Sequence, residues 1–360
     1  MINITKPFLP PKEEYDHYLQ GIWNRVWLTN NGPLVNELEL NLKKYLDVPH
    51  LFFVSNGTIA IQIAIKALKL KGEIITTPFS FVATTSSIVW EGCKPVFVDI
   101  SPATYNIDPN LIEAAITTDT SAILATHVFG NPCAVEKIEA VAAKHNLRVI
   151  YDAAHAFGTS YKGKSVMQHG DVSTLSFHST KLYHTIEGGA IVTHDPVIAK
   201  EIAHMRNFGY NGPEKFFGVG INGKNSEFHA AMGLCNLKYV NQILERRQQL
   251  SEEYNRMLKS LKVGKPFLNP EAGFNYAYYP VLFDNEEIVK KMSNALHGVY
   301  VYPRRYFYPS LETLNYVKPN QEVKVSSEIS TKILCLPLYH DLSMEEVKMI
   351  CRAILRAQNY

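Results

Sequence analysis

The sequence predicts an α/β fold with a large, mostly parallel sheet domain and a smaller C-terminal α+β domain, and three observations carry that prediction. From Leu51 to about Asp195, short apolar runs alternate with longer stretches of helical periodicity. Several of those runs are continuously apolar rather than alternating in and out, which is the pattern of strands covered on both faces. After Ala230 the texture changes to a long charged stretch and then a region rich in proline and tyrosine.

Taken in order, the first strand is Leu51–Val54. A helix over Ile59–Leu70 follows, because Ile61, Ala64, Ile65 and Leu68 make one apolar face. Strands Glu73–Thr77, Pro95–Asp99 and Ala122–His127 come next, then a helix over Ala134–His145. Leu147–Asp152, Ser173–Phe177 and Ala190–Thr193 complete the strands of the large domain. Beyond it, one long charged helix is expected from about Asn236 to Lys262, including Glu245-Arg246-Arg247. A strand over Tyr278–Phe283 and a final helix near Met344–Gln358 follow. The division falls at residues 1–238 for the large domain and 239–360 for the small one.

A chain of 360 residues suffices for two domains and a large buried core. With 46% hydrophobic and 19% charged residues it reads as an ordinary globular protein. The formal charge of +2 and basic clusters no denser than the pairs Arg246-Arg247 and Arg304-Arg305 argue against nucleic acid as a partner. Cys93, Cys133, Cys235, Cys335 and Cys351 are scattered without a CxxC pair. Reduced thiols packed as small hydrophobes are therefore expected, with no disulfide framework and no metal site. The start of the chain lacks the layout of a signal peptide, and no apolar run has bilayer length. A cytoplasmic enzyme without a membrane partner is the expectation.

In open parallel sheets ligands gather at the carboxyl ends of the strands, so residues just past each run carry the chemistry. Asp152-Ala153-Ala154-His155-Ala156 follows the strand that ends at Asp152. A carboxylate there is costly unless a cation faces it, and a protonated pyridine nitrogen is one such cation; capping of the next helix is the plainer role. Ser176-Phe177-His178-Ser179-Thr180-Lys181 ends another apolar strand, with Glu187-Gly188-Gly189 beyond it. Desolvation lowers a lysine pKa and makes Lys181 a candidate Schiff-base nucleophile. Ser55-Asn56-Gly57-Thr58 places Gly57 and Thr58 at a helix start, which suits a phosphate or simple capping. Phe81 offers a ring at a strand end, for a flat cofactor or for the core. Together, Asp152, Lys181 and the Gly57-Thr58 turn describe a site for pyridoxal phosphate (PLP).

The ordered set resembles the DegT-type sugar aminotransferases over essentially the whole chain. The matching stretches include Thr29-Asn30-Asn31-Gly32-Pro33, Ser55-Asn56-Gly57-Thr58, Asp152-Ala153-Ala154-His155-Ala156 and Ser176-Phe177-His178-Ser179-Thr180-Lys181. Glu187-Gly188-Gly189-Ala190, Gly220-Ile221-Asn222-Gly223-Lys224-Asn225-Ser226-Glu227 and Leu336-Pro337-Leu338-Tyr339 continue it. The resemblance implies the PLP-dependent transferase type I (aspartate aminotransferase-like) fold, with residues 1–238 binding the cofactor. It implies Lys181 as the Schiff-base lysine and Asp152 as the partner of the ring nitrogen. It implies that His155 and Phe81 flank the ring, and that Gly57, Thr58 and Ser176 hold the phosphate. Asn222 matches a residue that in this family reaches the phosphate of a neighbouring subunit, which implies a homodimer with shared sites. Two stretches depart from the family pattern: Lys224 stands where many members have arginine, and Tyr151 where many have glutamate.

The activity implied is amine transfer from L-glutamate to a nucleotide-linked keto-sugar. The pattern is most similar to members that make dTDP-4-amino-4,6-dideoxyglucose from dTDP-4-dehydro-6-deoxyglucose for surface polysaccharide such as O-antigen. Tyr183, His184, Arg304, Tyr306 and Tyr308 are the candidate substrate contacts, since aromatic and basic groups suit a thymine ring and a diphosphate. They serve equally well to pack a domain interface. Amination of a dTDP-3-keto-6-deoxyhexose is one rival reading. A PLP-binding regulator without turnover is the other, and it predicts loss of Lys181 or Asp152, both of which are present.

Overall fold

Seven strands between His50 and Thr193 hydrogen-bond into one sheet in a computed structural model, which describes residues 1–261, 263–317 and 323–359. From one edge to the other the strands are His50–Val54, Gly189–Thr193, Val172–Ser176, Arg148–Asp152, Thr120–Thr126, Glu73–Thr76 and Lys94–Phe97. Gly189–Thr193 runs antiparallel to both its neighbours, and the other pairs not involving it are parallel. Six carboxyl ends therefore meet at one edge of the sheet.

Successive residues of the central strands enter different cores, which explains their continuous apolar runs. Ile74, Ala122, Leu124 and Ile150 pack with Ala60, Ile61, Ala64 and Ile65 of the helix Gly57–Ala67. Ile75, Ile123, Ala125, Val149 and Tyr151 pack instead with Val135, Ile138 and Ala142, the buried stripe of the helix Val135–His145. With helices on both sides, no polar-out alternation remains for the sequence to show. A further core joins Phe53, Leu175 and Val192 to Leu34, Val35, Leu38 and Leu42 of the helix Pro33–Leu46. The start of that helix is held by the buried carboxylate of Glu227, which accepts the Leu34 and Val35 N–H groups at 2.9 Å each.

Another core gathers Leu250, Tyr254, Val281, Val289, Leu296, Leu334, Val347, Ile350 and Ile354, all from the C-terminal part of the chain. Ile2 joins it, because Ile2–Asn3 pairs in parallel with Val301–Tyr302. The single helix expected from about Asn236 to Lys262 is corrected to two helices, Glu227–Leu237 and Val240–Met257. The join is a tight turn in which the Lys238 and Tyr239 N–H groups bond back three residues, to Cys235 and Asn236. The first helix is nearly all buried and the second amphipathic, so the chain changes surroundings at that turn. Lys262 lies outside the described residues. All five cysteines are buried and free. Among the described residues no helix is long and apolar enough to cross a membrane.

Candidate active site

The carboxyl ends of the strands open into a cavity of about 410 Å³, a size that suits a small ligand. Asp152 reaches it from the last position of its strand and Ser176 from the last position of the next. Gly57 and Thr58 enter from the helix that follows Val54, where Asn56 accepts the Ile59 N–H at 2.8 Å and starts the helix. A side chain at Gly57 would meet Ser176 Cβ at 3.0 Å, so only glycine lets the helix start lie this close to the strand end.

Lys181 stands on the cavity wall beyond a turn in which its N–H bonds to the His178 carbonyl at 2.9 Å. Burial lowers the pKa of its amine; Tyr306 and Asp152 oppose that shift, while Arg304 adds to it. Its Nζ lies 3.5 Å from the hydroxyl of Tyr278. Asp152 is buried, and burial pushes its pKa up against the Thr84 hydroxyl, the Ala154 N–H and the Lys181 amine. It makes no ion pair among the described residues. A desolvated carboxylate facing a cavity without its own cation leaves room for a cationic ligand group.

His155 is buried beside the cavity in a stack of rings, 5.4 Å from Phe307 and 4.5 Å from Tyr278 between centroids. Its Nδ1 accepts the Phe129 N–H at 3.3 Å, and burial drives its pKa well down, so the ring is neutral. Phe81, just before the helix Val82–Trp90, lines the cavity with half of its surface exposed. From the C-terminal part of the chain, Arg304 and Tyr306 complete the wall, the guanidinium 4.6 Å from the centre of the Tyr306 ring. Burial raises the Tyr306 phenol to about 12, so it stays protonated.

Three candidate substrate contacts lie elsewhere. Tyr183 is fully buried, stacked 4.5 Å from Phe157, with its hydroxyl donating to the Gly233 carbonyl at 3.2 Å. His184 is buried too, its Nε2 2.7 Å from the Phe8 carbonyl. Both are corrected to packing residues, because the turn at Lys181 carries the chain back into the core. Tyr308 does not line the cavity; its exposed ring lies 3.5 Å from the Arg305 guanidinium. Asn222 does not line its own chain's cavity either, and its Oδ1 accepts from Lys224 at 2.7 Å on an exposed loop. Tyr151 faces away from the cavity and stacks on His127. Thr84 and Tyr278 were not visible as site residues in the sequence, since nothing local ties them to Asp152 or Lys181.

A lysine amine kept out of water and a buried carboxylate on one cavity are suited to carbonyl and amine chemistry, the equipment of an α/β enzyme. Known proteins make that class specific. Residues 11–355 match the DegT/DnrJ/EryC1/StrS aminotransferase family, and the chain belongs to it: the protein is an aminotransferase. It is 43% identical over 360 residues to a dTDP-4-amino-4,6-dideoxy-D-glucose transaminase of Shigella dysenteriae, covering 98% of both chains. It is 38% identical over 374 residues to the Escherichia coli protein of the same name, again with 98% of each covered. The crystal structure of DesI in the presence of its TDP-sugar product superposes with a TM-score of 0.94 at 31% identity, covering 99% of this chain and 93% of that one. These neighbours bear out the fold expected from the sequence, an α/β transferase with a large, mostly parallel sheet.

Proposed function

We propose that the protein is a PLP-dependent aminotransferase that moves an amino group from L-glutamate to a dTDP-linked 4-keto-6-deoxyhexose, giving dTDP-4-amino-4,6-dideoxyglucose. In this reading it works in the cytoplasm as a homodimer with shared sites and supplies surface polysaccharide such as the O-antigen of lipopolysaccharide. Residues 1–238 would hold the cofactor, and 239–360 supply Arg304 and Tyr306 to the wall of the same cavity. The observation that carries the proposal is the convergence of Lys181 and a buried Asp152 on one cavity, in a chain whose relatives are named for this product.

The residues fit the cofactor. Asp152 supplies the anion that a protonated ring nitrogen needs, and among the described residues it is hydrogen-bonded by Thr84 and Ala154 but makes no ion pair. Gly57 and Thr58 at the helix start, with the Ser176 hydroxyl, offer donors to a phosphate. His155 and Phe81 border the space for a flat ring. When bound, PLP supplies an aldehyde for lysine and a ring able to take up the electron pair left when a neighbouring carbon loses its proton. Lys181 Nζ, neutral more readily because it is buried, takes that proton and returns it. Asp152 keeps the ring nitrogen protonated, and the ring stack around His155 keeps water from that side. Asn222 of a second copy is the proposed further phosphate contact.

Gly189 tests the phosphate cradle. A Cβ there would stand 2.5 Å from the Asn56 carbonyl carbon and 2.8 Å from the Gly57 nitrogen, so Gly189→Ala must push the helix start out of place. Overpacking of this kind costs about 1–3 kcal/mol, so the dissociation constant for PLP is expected to rise roughly tenfold. Fluorescence titration of the apoprotein measures it, and unchanged affinity in a folded variant would remove Gly57 from the cradle.

Arg304 tests the substrate. Its backbone is fixed by exchange of hydrogen bonds with Cys335, so truncating the side chain leaves the fold alone. Losing a charge-assisted bond to the diphosphate is worth about 1.5 kcal/mol, so Arg304→Ala is expected to raise KM for the nucleotide sugar about tenfold while KM for glutamate holds. Steady-state kinetics with each substrate varied in turn will show it; equal changes in both constants would count against a diphosphate contact. NMR of the product settles the site of amination: an equatorial amine at C4 supports the proposal, and an amine at C3 replaces it with the rival.

A further inference from the structure

Three hydroxyl groups unused by the reaction so far described lie beside the cavity in a chain that ends on Asp152. Ser80 Oγ is 2.7 Å from Thr84 Oγ1 and 3.0 Å from Thr126 Oγ1, and Thr84 Oγ1 donates to Asp152 Oδ2 at 2.7 Å. All four side chains are buried, none more than 5% exposed. They come from separate stretches of chain. Ser80 and Thr84 bracket the start of the helix Val82–Trp90, while Thr126 and Asp152 end adjacent strands.

Counting protons fixes the direction of the chain. Each hydroxyl has one proton to give, and an ionised carboxylate only accepts. The Thr84 proton is therefore committed to Asp152, which leaves Thr84 able only to accept from Ser80. Ser80 is then committed to Thr84 and accepts from Thr126. Every donor points toward the carboxylate, and in dry surroundings each bond polarises the next. The other oxygen, Oδ1, accepts the Ala154 N–H at 3.1 Å, so both oxygens are held. A neutral carboxyl with its proton on Oδ2 would have to turn the hydroxyls round and leave the Thr126 proton seeking another acceptor. Of the influences that oppose burial at Asp152, the Thr84 hydroxyl is the largest, ahead of the Ala154 N–H and the Lys181 amine. The nearby Cys133 thiol, which the Asp152 charge also influences, is itself kept neutral by burial.

We propose that Thr84, backed by Ser80 and Thr126, is a positioning residue for amine transfer, and that this hydroxyl relay holds the Asp152 carboxylate as a charged, oriented acceptor for the proton on the cofactor's ring nitrogen. The proposal rests on the reading that Asp152 faces that nitrogen. Thr84→Val keeps the shape and removes the hydroxyl; Thr84→Ser keeps the hydroxyl and removes a methyl group.

The test loads wild type, both Thr84 variants and Asp152→Asn with PLP isotopically labelled at the ring nitrogen. Nitrogen NMR then follows ring protonation from neutral to alkaline pH, and kinetics with glutamate accompany it. Wild type and Thr84→Ser are expected to keep the ring proton throughout. Thr84→Val is expected to lose it at a lower pH than wild type, with kcat down about tenfold and KM for glutamate within about twofold. If Thr84→Val titrates and turns over as wild type does while Asp152→Asn loses the proton, the relay is only packing and the proposal falls, with the role of Asp152 intact. If Asp152→Asn also keeps the wild-type signal, Asp152 does not hold the ring proton, and the underlying reading fails together with the relay.

Discussion

Lys181→Ala is expected to remove the protein's visible absorbance with PLP and to slow amine transfer by about 10⁴-fold or more, because one side chain supplies both the covalent attachment and the base. No other described lysine lines the cavity to take over either task. The fold should survive, since the Lys181 side chain lines the cavity and its one side-chain hydrogen bond among the described residues is the 3.5 Å approach to Tyr278. Absorbance of the purified variant, borohydride treatment and mass spectrometry make the check. A chromophore that persists and is trapped by borohydride would place the covalent lysine elsewhere and overturn the assignment.

Asp152→Asn is expected to bind PLP and yet slow both halves of the reaction roughly a hundredfold, the scale of losing a buried hydrogen bond to a charged group. Asparagine can still accept the Ala154 N–H and donate to the Thr84 oxygen, but it lacks the negative charge that keeps a ring nitrogen protonated. The pH dependence has a definite sign. Burial raises the Asp152 pKa in the free protein, so acidification neutralises it earlier than an exposed aspartate. Cofactor binding should therefore weaken as pH falls through that raised value. In Asp152→Asn this acid limb should vanish. Wild-type rates in the variant, or an unchanged acid limb, would make the aspartate purely structural.

The sheet was legible in the sequence because helices cover both of its faces, which turns each strand into an unbroken apolar run. Arg148–Asp152 and Val172–Ser176 lie within one residue of the expected strands for that reason. The break at Lys238–Tyr239 was not legible, because a turn of two residues inside helix-forming sequence disturbs no periodicity. Gly57, Thr58, Asp152, Ser176 and Lys181 could be found together since each ends or follows a strand, and strand ends of a parallel sheet converge. Tyr183 and His184 misled because neighbours of Lys181 in sequence are carried into the core by the next turn. Thr84 and Tyr278 went unseen for the opposite reason. Thr84 lies 68 residues from Asp152 and Tyr278 97 from Lys181, and only the folded chain makes those pairs adjacent.

The most direct test of the account is a single turnover. The protein is first converted with L-glutamate to its pyridoxamine phosphate form, freed of donor, and mixed with one equivalent of dTDP-4-dehydro-6-deoxyglucose while visible absorbance is followed. Rapid return of the absorbance, with an equatorial amine at C4 of the released sugar, is the predicted result. Full conversion by glutamate followed by no reaction with this sugar would contradict the substrate assignment, and no conversion by glutamate would contradict the donor.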